Sequence, residues 1–165
     1  MESSWDSIDS NVKAAVNLKL LREWLRFVRG PYVKAVILFG SGGRGEAEER
    51  SDVDLLVLHD GCEIVDSVLR RRYFYNLIRD VVGKHFDDIT VLDMELKEFL
   101  KPKRVNALLL NIYWDAQVVL DKTGVLDRFL EHVKKRIVKS GLRRVKDGRA
   151  YYWVLPAPKT EVKIL

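Results

Sequence analysis

Residues 33–58 read VKAVILFGSGGRGEAEERSDVDLLVL, and this stretch divides into three parts. Val33 to Phe39 is a short apolar run rich in branched residues, the pattern of a buried strand. A glycine-rich turn follows, with Gly40, Ser41, Gly42, Gly43 and Gly45. Asp52 and Asp54 then head a second apolar run, Leu55 to Leu58. Side chains two apart on a strand share a face. Asp52 and Asp54 are therefore expected side by side, with Val53 turned away.

Two carboxylates on one face repel unless a cation lies between them. Mg²⁺ suits such a position, because it takes one or two carboxylates together with phosphate oxygens and keeps several waters. The glycine turn supplies the other half. Glycines let main-chain N–H groups come close to phosphate oxygens. The Ser41 hydroxyl can donate to the same phosphates. Taken singly, a D-x-D pair is a strand-end cap and a glycine turn is only a turn. At this spacing, between two apolar strands, they point to phosphoryl or nucleotidyl transfer.

The stretch resembles the minimal nucleotidyltransferases of the DNA polymerase β-like superfamily, whose motif is written GSx10DxD. The match is Gly40-Ser41, ten residues, then Asp52-Val53-Asp54. Leu38-Phe39, Arg44-Gly45, Ser51 and Leu55-Leu56-Val57 agree with the flanks. Gly43 departs from the alanine that many relatives carry, a change read as mild. The resemblance is specific over 33–58 and fades beyond Leu100.

It implies an α/β (α+β) fold, a small mixed sheet flanked by helices. The expected division is a nucleotidyltransferase core at 10–100 and an extension of helices, hairpin and tail at 101–165. It also implies a third carboxylate on a neighbouring strand, within FDDITVLDMEL. There Asp88, directly before Ile89-Thr90-Val91-Leu92, fits better than Asp87. Asp52, Asp54 and Asp88 are thus the candidate catalytic and metal-binding residues, sharing two Mg²⁺ ions. Gly40, Ser41 and Arg44 are the nucleotide-binding candidates, with Arg44 almost equally readable as a solvated loop residue. A nucleoside triphosphate, ATP foremost, would give its nucleoside monophosphate to an acceptor hydroxyl and release pyrophosphate. Minimal members of the family pair with small helical HEPN-domain proteins as antitoxins, so the resemblance implies a HEPN-type toxin partner. A non-enzymatic binding module of the same fold and an RNA-acting enzyme stand as alternatives.

The 165 residues, 47% hydrophobic and 32% charged, suit one domain with a real core. A net charge of +5 favours anionic partners. No apolar run reaches membrane-spanning length, and the polar, acidic start MESSWDSIDS is not expected to act as a signal peptide. The single Cys62 fits a reducing cytoplasm. His59, His85 and His132 lack metal-ligand spacing and read as surface or structural residues.

Helices are expected at 10–29, capped by Ser10, and at 63–84, with Val65, Leu69, Tyr73, Leu77 and Val81 as the apolar stripe. A third is expected from Pro102 to 121, burying Val105, Leu109, Ile112, Ala116 and Leu120. A fourth spans 125–140, with Leu126, Phe129, Val133 and Ile137. Residues 46–50 read as a short helix or turn. Arg70, Arg71 and Arg72 read as a solvated face or as an attractor of polyphosphate or a partner, and Asp93 as a strand end. Asp147-Gly148 signals a hairpin, and the last ten residues an extended tail. Lys134, Lys135, Arg136 and Lys139, with Tyr151, Tyr152 and Trp153, suit packing or a protein interface, and less readily single-stranded nucleic acid.

Overall fold

The computed structural model describes residues 10–44, 53–86, 88–158 and 161–165. For residues 10–17 and Gly42 it describes the main chain alone. Asp52, Asp87 and the expected element at 46–50 lie outside the described residues.

Four strands form one mixed sheet in the order β3-β2-β1-β4. Strands β1 (Val33–Phe39) and β2 (Val53–His59) are central and antiparallel. Both are buried on their two faces, which is why they read as largely apolar runs. Strand β3 (Ile89–Glu95) runs parallel to β2, reached by the crossover helix α3 (Ser67–Val82). Helices α1 (Ser10–Leu25) and α3 cover one face, where Leu21, Leu25, Phe74, Ile78 and Val82 meet Val36, Leu38, Leu55 and Val57. The other face is covered by α4 (Leu96–Leu100), α5 (Ala107–Asp115) and α6 (Leu126–Lys139). There Phe99, Ile112, Tyr113, Leu126, Val133 and Ile137 meet Ala35, Ile37, Leu56 and Leu58. Each fully buried Leu, Ile or Phe contributes about 1.5–3 kcal/mol. Burial pushes the Tyr113 hydroxyl upward in pKa, and that hydroxyl donates to the Phe99 carbonyl at 2.6 Å.

Several expectations are corrected. Helix α1 stops at Leu25, four residues early, because Phe27 and Val28 bond back to the carbonyls of Trp24 and Leu25 in tight turns. Helix α3 starts at Ser67, where Asp66 caps it by accepting from the N–H groups of Val68 and Leu69. Its buried residues are Phe74, Ile78 and Val82, while Val65 and Leu69 are exposed. The expected stripe lies one residue early, since Phe74, Ile78 and Val82 keep the same four-residue step one position on, and Val65 precedes the helix.

The largest correction falls at 102–121. Pro102 starts no helix; α5 begins at Ala107 behind the cap Asn106. It ends at Ala116, whose ψ of 129° is extended, and Gln117–Asp121 becomes strand β4, antiparallel to β1. The short helix α4 was also unforeseen.

The hairpin is present as β5 (Arg143–Asp147) and β6 (Ala150–Val154). Its two-residue loop is Gly148-Arg149, one residue later than expected, with Gly148 at φ +60°. It packs on α5: Trp153 Nε1 donates to Asn111 Oδ1 at 2.9 Å. Among the described residues of the tail there is no helix or strand, yet Ile164 enters the core. Among the described residues no helix is long and apolar enough to cross a membrane.

Asp121 ties β4 to α6. Its carboxylate accepts from the N–H groups of Thr123, Gly124 and Leu126 and from the Thr123 hydroxyl. Burial works to raise its pKa, but these hydrogen bonds outweigh it and hold the group below its ordinary value. A depressed carboxylate stabilises the fold above the unfolded pKa of about 3.9, and that stability is lost as pH falls through the folded value. Asp121→Ala is expected to cost about 0.5–2 kcal/mol at pH 7. The difference from wild type in thermal unfolding should narrow as the pH falls below about 4.

Candidate functional site

The two central strands bring the glycine turn and a carboxylate together. Phe39, the last residue of β1, pairs with Asp54 near the start of β2. Gly40 follows at φ +66°, and a Cβ there would collide with the Asp54 carboxylate. Only glycine accepts both the left-handed backbone and the contact. Gly40–Arg44 then forms the short helix α2, with Ser41 half-buried in its first turn. Asp54 is half-buried and shares its face with Leu56, whereas Val53 and Leu55 face α3.

Asp88 stands beside this pair. Its carbonyl accepts from Val53 N–H at 3.2 Å, which continues the parallel ladder one step beyond Ile89. Asp88 precedes Thr90, the partner of Asp54, by two residues, a step that keeps the face on an extended chain. Asp88 is exposed. Gly40, Ser41, Asp54 and Asp88 thus collect at one end of the sheet. Carboxylate oxygens of this kind are hard donors that suit Mg²⁺.

Gly43 is not the mild departure expected. A Cβ there would lie 2.6 Å from the Asp115 carbonyl oxygen and 3.1 Å from that of Leu38. An alanine would force α2 away from the junction of α5 and β4.

Arg44 is not a solvated loop residue. Its Nη1 donates to Asp115 Oδ2 at 3.2 Å, and its guanidinium lies 4.6 Å from the Tyr151 ring centroid. Asp115 is buried and also receives Arg144 in a two-pronged pair, both contacts at 2.7 Å. Arg144 in turn lies 4.0 Å from the Tyr151 centroid. This cluster floors a cleft of about 680 Å³ that Gly43, Arg143, Lys146, Trp114 and Trp153 also border.

A second buried carboxylate was missed. Asp93 lies within β3, not at a strand end, and its side chain is 1% exposed. Arg70 Nε donates to it at 2.7 Å, and His59 Nε2 lies 3.2 Å away. His59 is buried and stacks on Phe74, so the structural reading of that histidine holds. The arginine triplet is therefore split: Arg70 serves a buried carboxylate, while Arg71 and Arg72 are exposed. An aspartate in phase with Ile89 and Val91, on the face covered by an arginine-bearing helix, was the signal available for Asp93.

Removing one partner of a buried ion pair leaves uncompensated charge. Asp115→Ala is expected to cost about 3–5 kcal/mol, since two guanidinium groups lose their acceptor. Urea unfolding checks this, and a loss below about 1 kcal/mol would place the cluster with ordinary surface pairs.

A curated relative from Methanocaldococcus jannaschii bears the name "Putative protein adenylyltransferase MJ1305". It is 28% identical over 100 residues, covering 61% of this chain and 67% of its own. A crystal structure of a nucleotidyltransferase from Sulfolobus solfataricus, itself described as putative, superposes with a TM-score of 0.47 at 20% identity, over 70% of this chain and 91% of that one. A crystal structure of a toxin-antitoxin with AMP-PNP superposes with a TM-score of 0.44 at 17% identity, over 74% and 94%. The model of the family described as nucleotidyltransferase domain matches residues 18–114, more than half of the sequence, and the chain belongs to that family.

Proposed function

We propose that this nucleotidyltransferase moves AMP from ATP to a hydroxyl on a separate protein, with Mg²⁺ as the metal and a small helical HEPN-type toxin as the acceptor. One observation carries the reading: the Asp54 carboxylate sits where a side chain on Gly40 would be. A phosphate-approaching turn and a hard oxygen donor thereby share one space. The name of the M. jannaschii relative supports adenylyl transfer to protein. The HEPN-type partner is what the GSx10DxD resemblance implies.

Asp52, Asp54 and Asp88 would hold the metal, whose charge offsets that of the triphosphate and of the leaving pyrophosphate. Main-chain N–H groups at Gly40 and Ser41, with the Ser41 hydroxyl, would hold the terminal phosphates. Asp88, exposed on the neighbouring strand, would take the proton of the acceptor hydroxyl. The hydroxyl oxygen bonds to the α-phosphorus as the bond to pyrophosphate breaks. Most of the rate comes from positioning and preset charge.

The cleft where the exposed Arg143 and Lys146 lie with Trp114 and Trp153 supports RNA as the second reading. Aromatic rings stack bases, and affinity for such a surface falls steeply with salt.

The Asp52→Asn, Asp54→Asn double variant is expected to lose metal-dependent triphosphate binding and keep its melting profile. Unchanged affinity and metal dependence would sink the site. Asp88→Asn is expected to lower turnover by about 10²-fold or more while triphosphate affinity changes little. A larger kinetic loss in Asp87→Asn would move the third carboxylate by one position. Purified with a HEPN-type partner, ATP and Mg²⁺, the protein should add the mass of AMP to that partner, and the double variant should not. Labelled nucleotide on RNA and none on protein would favour the second reading.

A further inference from the structure

Strand β3 is an edge: among the described residues, the order β3-β2-β1-β4 puts no strand on its outer side. The ladder fixes which main-chain groups face outward. Val53, opposite Ile89, donates to the Asp88 carbonyl. In a parallel pair, Thr90 and Leu92 then turn both N–H and C=O toward β2, and Ile89, Val91 and Asp93 turn theirs away. Asp93 bears this out. Its side chain is 1% exposed, yet the residue as a whole is only half-buried, so what solvent reaches is main chain.

Two cavities flank this edge, one on each face of the sheet. The first, about 490 Å³, is bordered by Leu92, Met94, Lys103 and Arg104. The second, about 440 Å³, is bordered by Val91 together with Val68 and Arg72 of α3. Arg71 borders both and lies 3.5 Å from Asp93. Apolar surface is open at each: Val68 is 74% exposed and Leu108, beside the first cavity, 50%.

We propose that the open edge of β3 docks an extended, acidic segment of the acceptor protein as an added strand, and so delivers its hydroxyl toward Asp88. The inference builds on the protein-acceptor reading above. An added strand sends alternate side chains to opposite faces, and here each face has a cavity to receive them. Charge selects the occupant. Arg71, Arg72, Lys103 and Arg104 border the groove against two carboxylates, Glu98 and Asp93, and Asp93 is already held by Arg70 and His59 with Arg71 at its edge. Against a neutral strand, a charged arm such as Arg71 discourages pairing. Against a carboxylate it becomes a partner. Asp88 lies at the head of the same strand, so a segment bound along β3 runs past the candidate third carboxylate.

The probe is a fluorescein-labelled decapeptide alternating glutamate and valine around one tyrosine, compared with the same peptide carrying lysine for glutamate. By fluorescence anisotropy on the full chain, the acidic peptide should bind about tenfold more tightly or better. Val91→Pro removes an outward N–H and should weaken binding about tenfold. Lys103→Glu with Arg104→Glu should do the same from an exposed loop, so a folding defect in Val91→Pro leaves the test intact. Bound peptide should slow hydrogen exchange at the Val91 and Asp93 amides and leave Thr90 unchanged. Equal affinity for the two peptides overturns the proposal. So does acidic-peptide binding that neither variant weakens and that leaves exchange at Val91 and Asp93 unaltered. AMP transfer to the partner at full rate in both variants overturns docking at β3 while the protein-acceptor reading stands. Peptide binding and exchange protection as expected, without transfer to any protein, support the docking edge and sink that reading instead.

Discussion

Strand β2 has a neighbour on each side and a helical layer on each face, and this confinement governs the rest of the molecule. Every residue from Leu55 to His59 is buried, so a polar group in that interior must bring its partner or not occur. The carboxylate of this strand, Asp54, sits at its mouth and is half-buried. The turn after β1 opens at the same mouth because β1 and β2 are antiparallel. Strand β3 opens there through Asp88 because β2 and β3 are parallel. One antiparallel and one parallel pairing around a single buried strand therefore gather the turn and the acidic residues at one end.

The buried charges obey the same rule away from that mouth. Asp93 and Asp115 each lie under a helical or hairpin cover, and each is met by arginine. Such pairs add little to stability relative to an apolar core, but losing one member is costly. Their effect is to fix position. Arg144 fastens the hairpin to the end of α5, and Arg44 joins α2 to the same carboxylate. The glycine turn, the α5–β4 junction and the hairpin are thereby held to one anchor, Asp115. The close approach of Gly43 to the Asp115 carbonyl makes that anchor tighter still.

Much of the fold was legible in the sequence, and the illegible portions have physical reasons. Val33–Phe39 and the run Leu55–Leu58 were readable because strands buried on both faces are mostly apolar and are bounded by polar or glycine residues. The hairpin was readable because few residues tolerate its loop geometry. Strand β4 was not: Ala116 and Leu120 continue the helical spacing of Leu109 and Ile112, and Val118-Val119-Leu120 reads equally as a strand. The open edge of β1 decides between them, and that is a tertiary fact. Of the candidate site, Gly40, Ser41 and Asp54 were named from their residue types and spacing and Asp88 from the family resemblance, and the described residues bring those four to one end of the sheet. The Arg44–Asp115–Arg144 and Arg70–Asp93–His59 clusters were invisible because their members come from separate elements with no local pattern.

The pairing of β1 with β4 has a consequence for how the chain comes into being. Ile37 lies opposite Val118, so one of the most apolar strands emerges from a ribosome long before the strand that covers its outer edge. At synthesis rates of 5–20 residues per second, that edge waits roughly 4–16 s for its cover. During the wait β1 can pair with β2 but presents its other side to whatever strand is at hand. Such long-range closure is slow by nature. The nascent protein is thus most exposed to misassembly in the interval between the completion of β2 and the arrival of β4, and a chaperone that holds short apolar strands would find its target in Val33–Phe39.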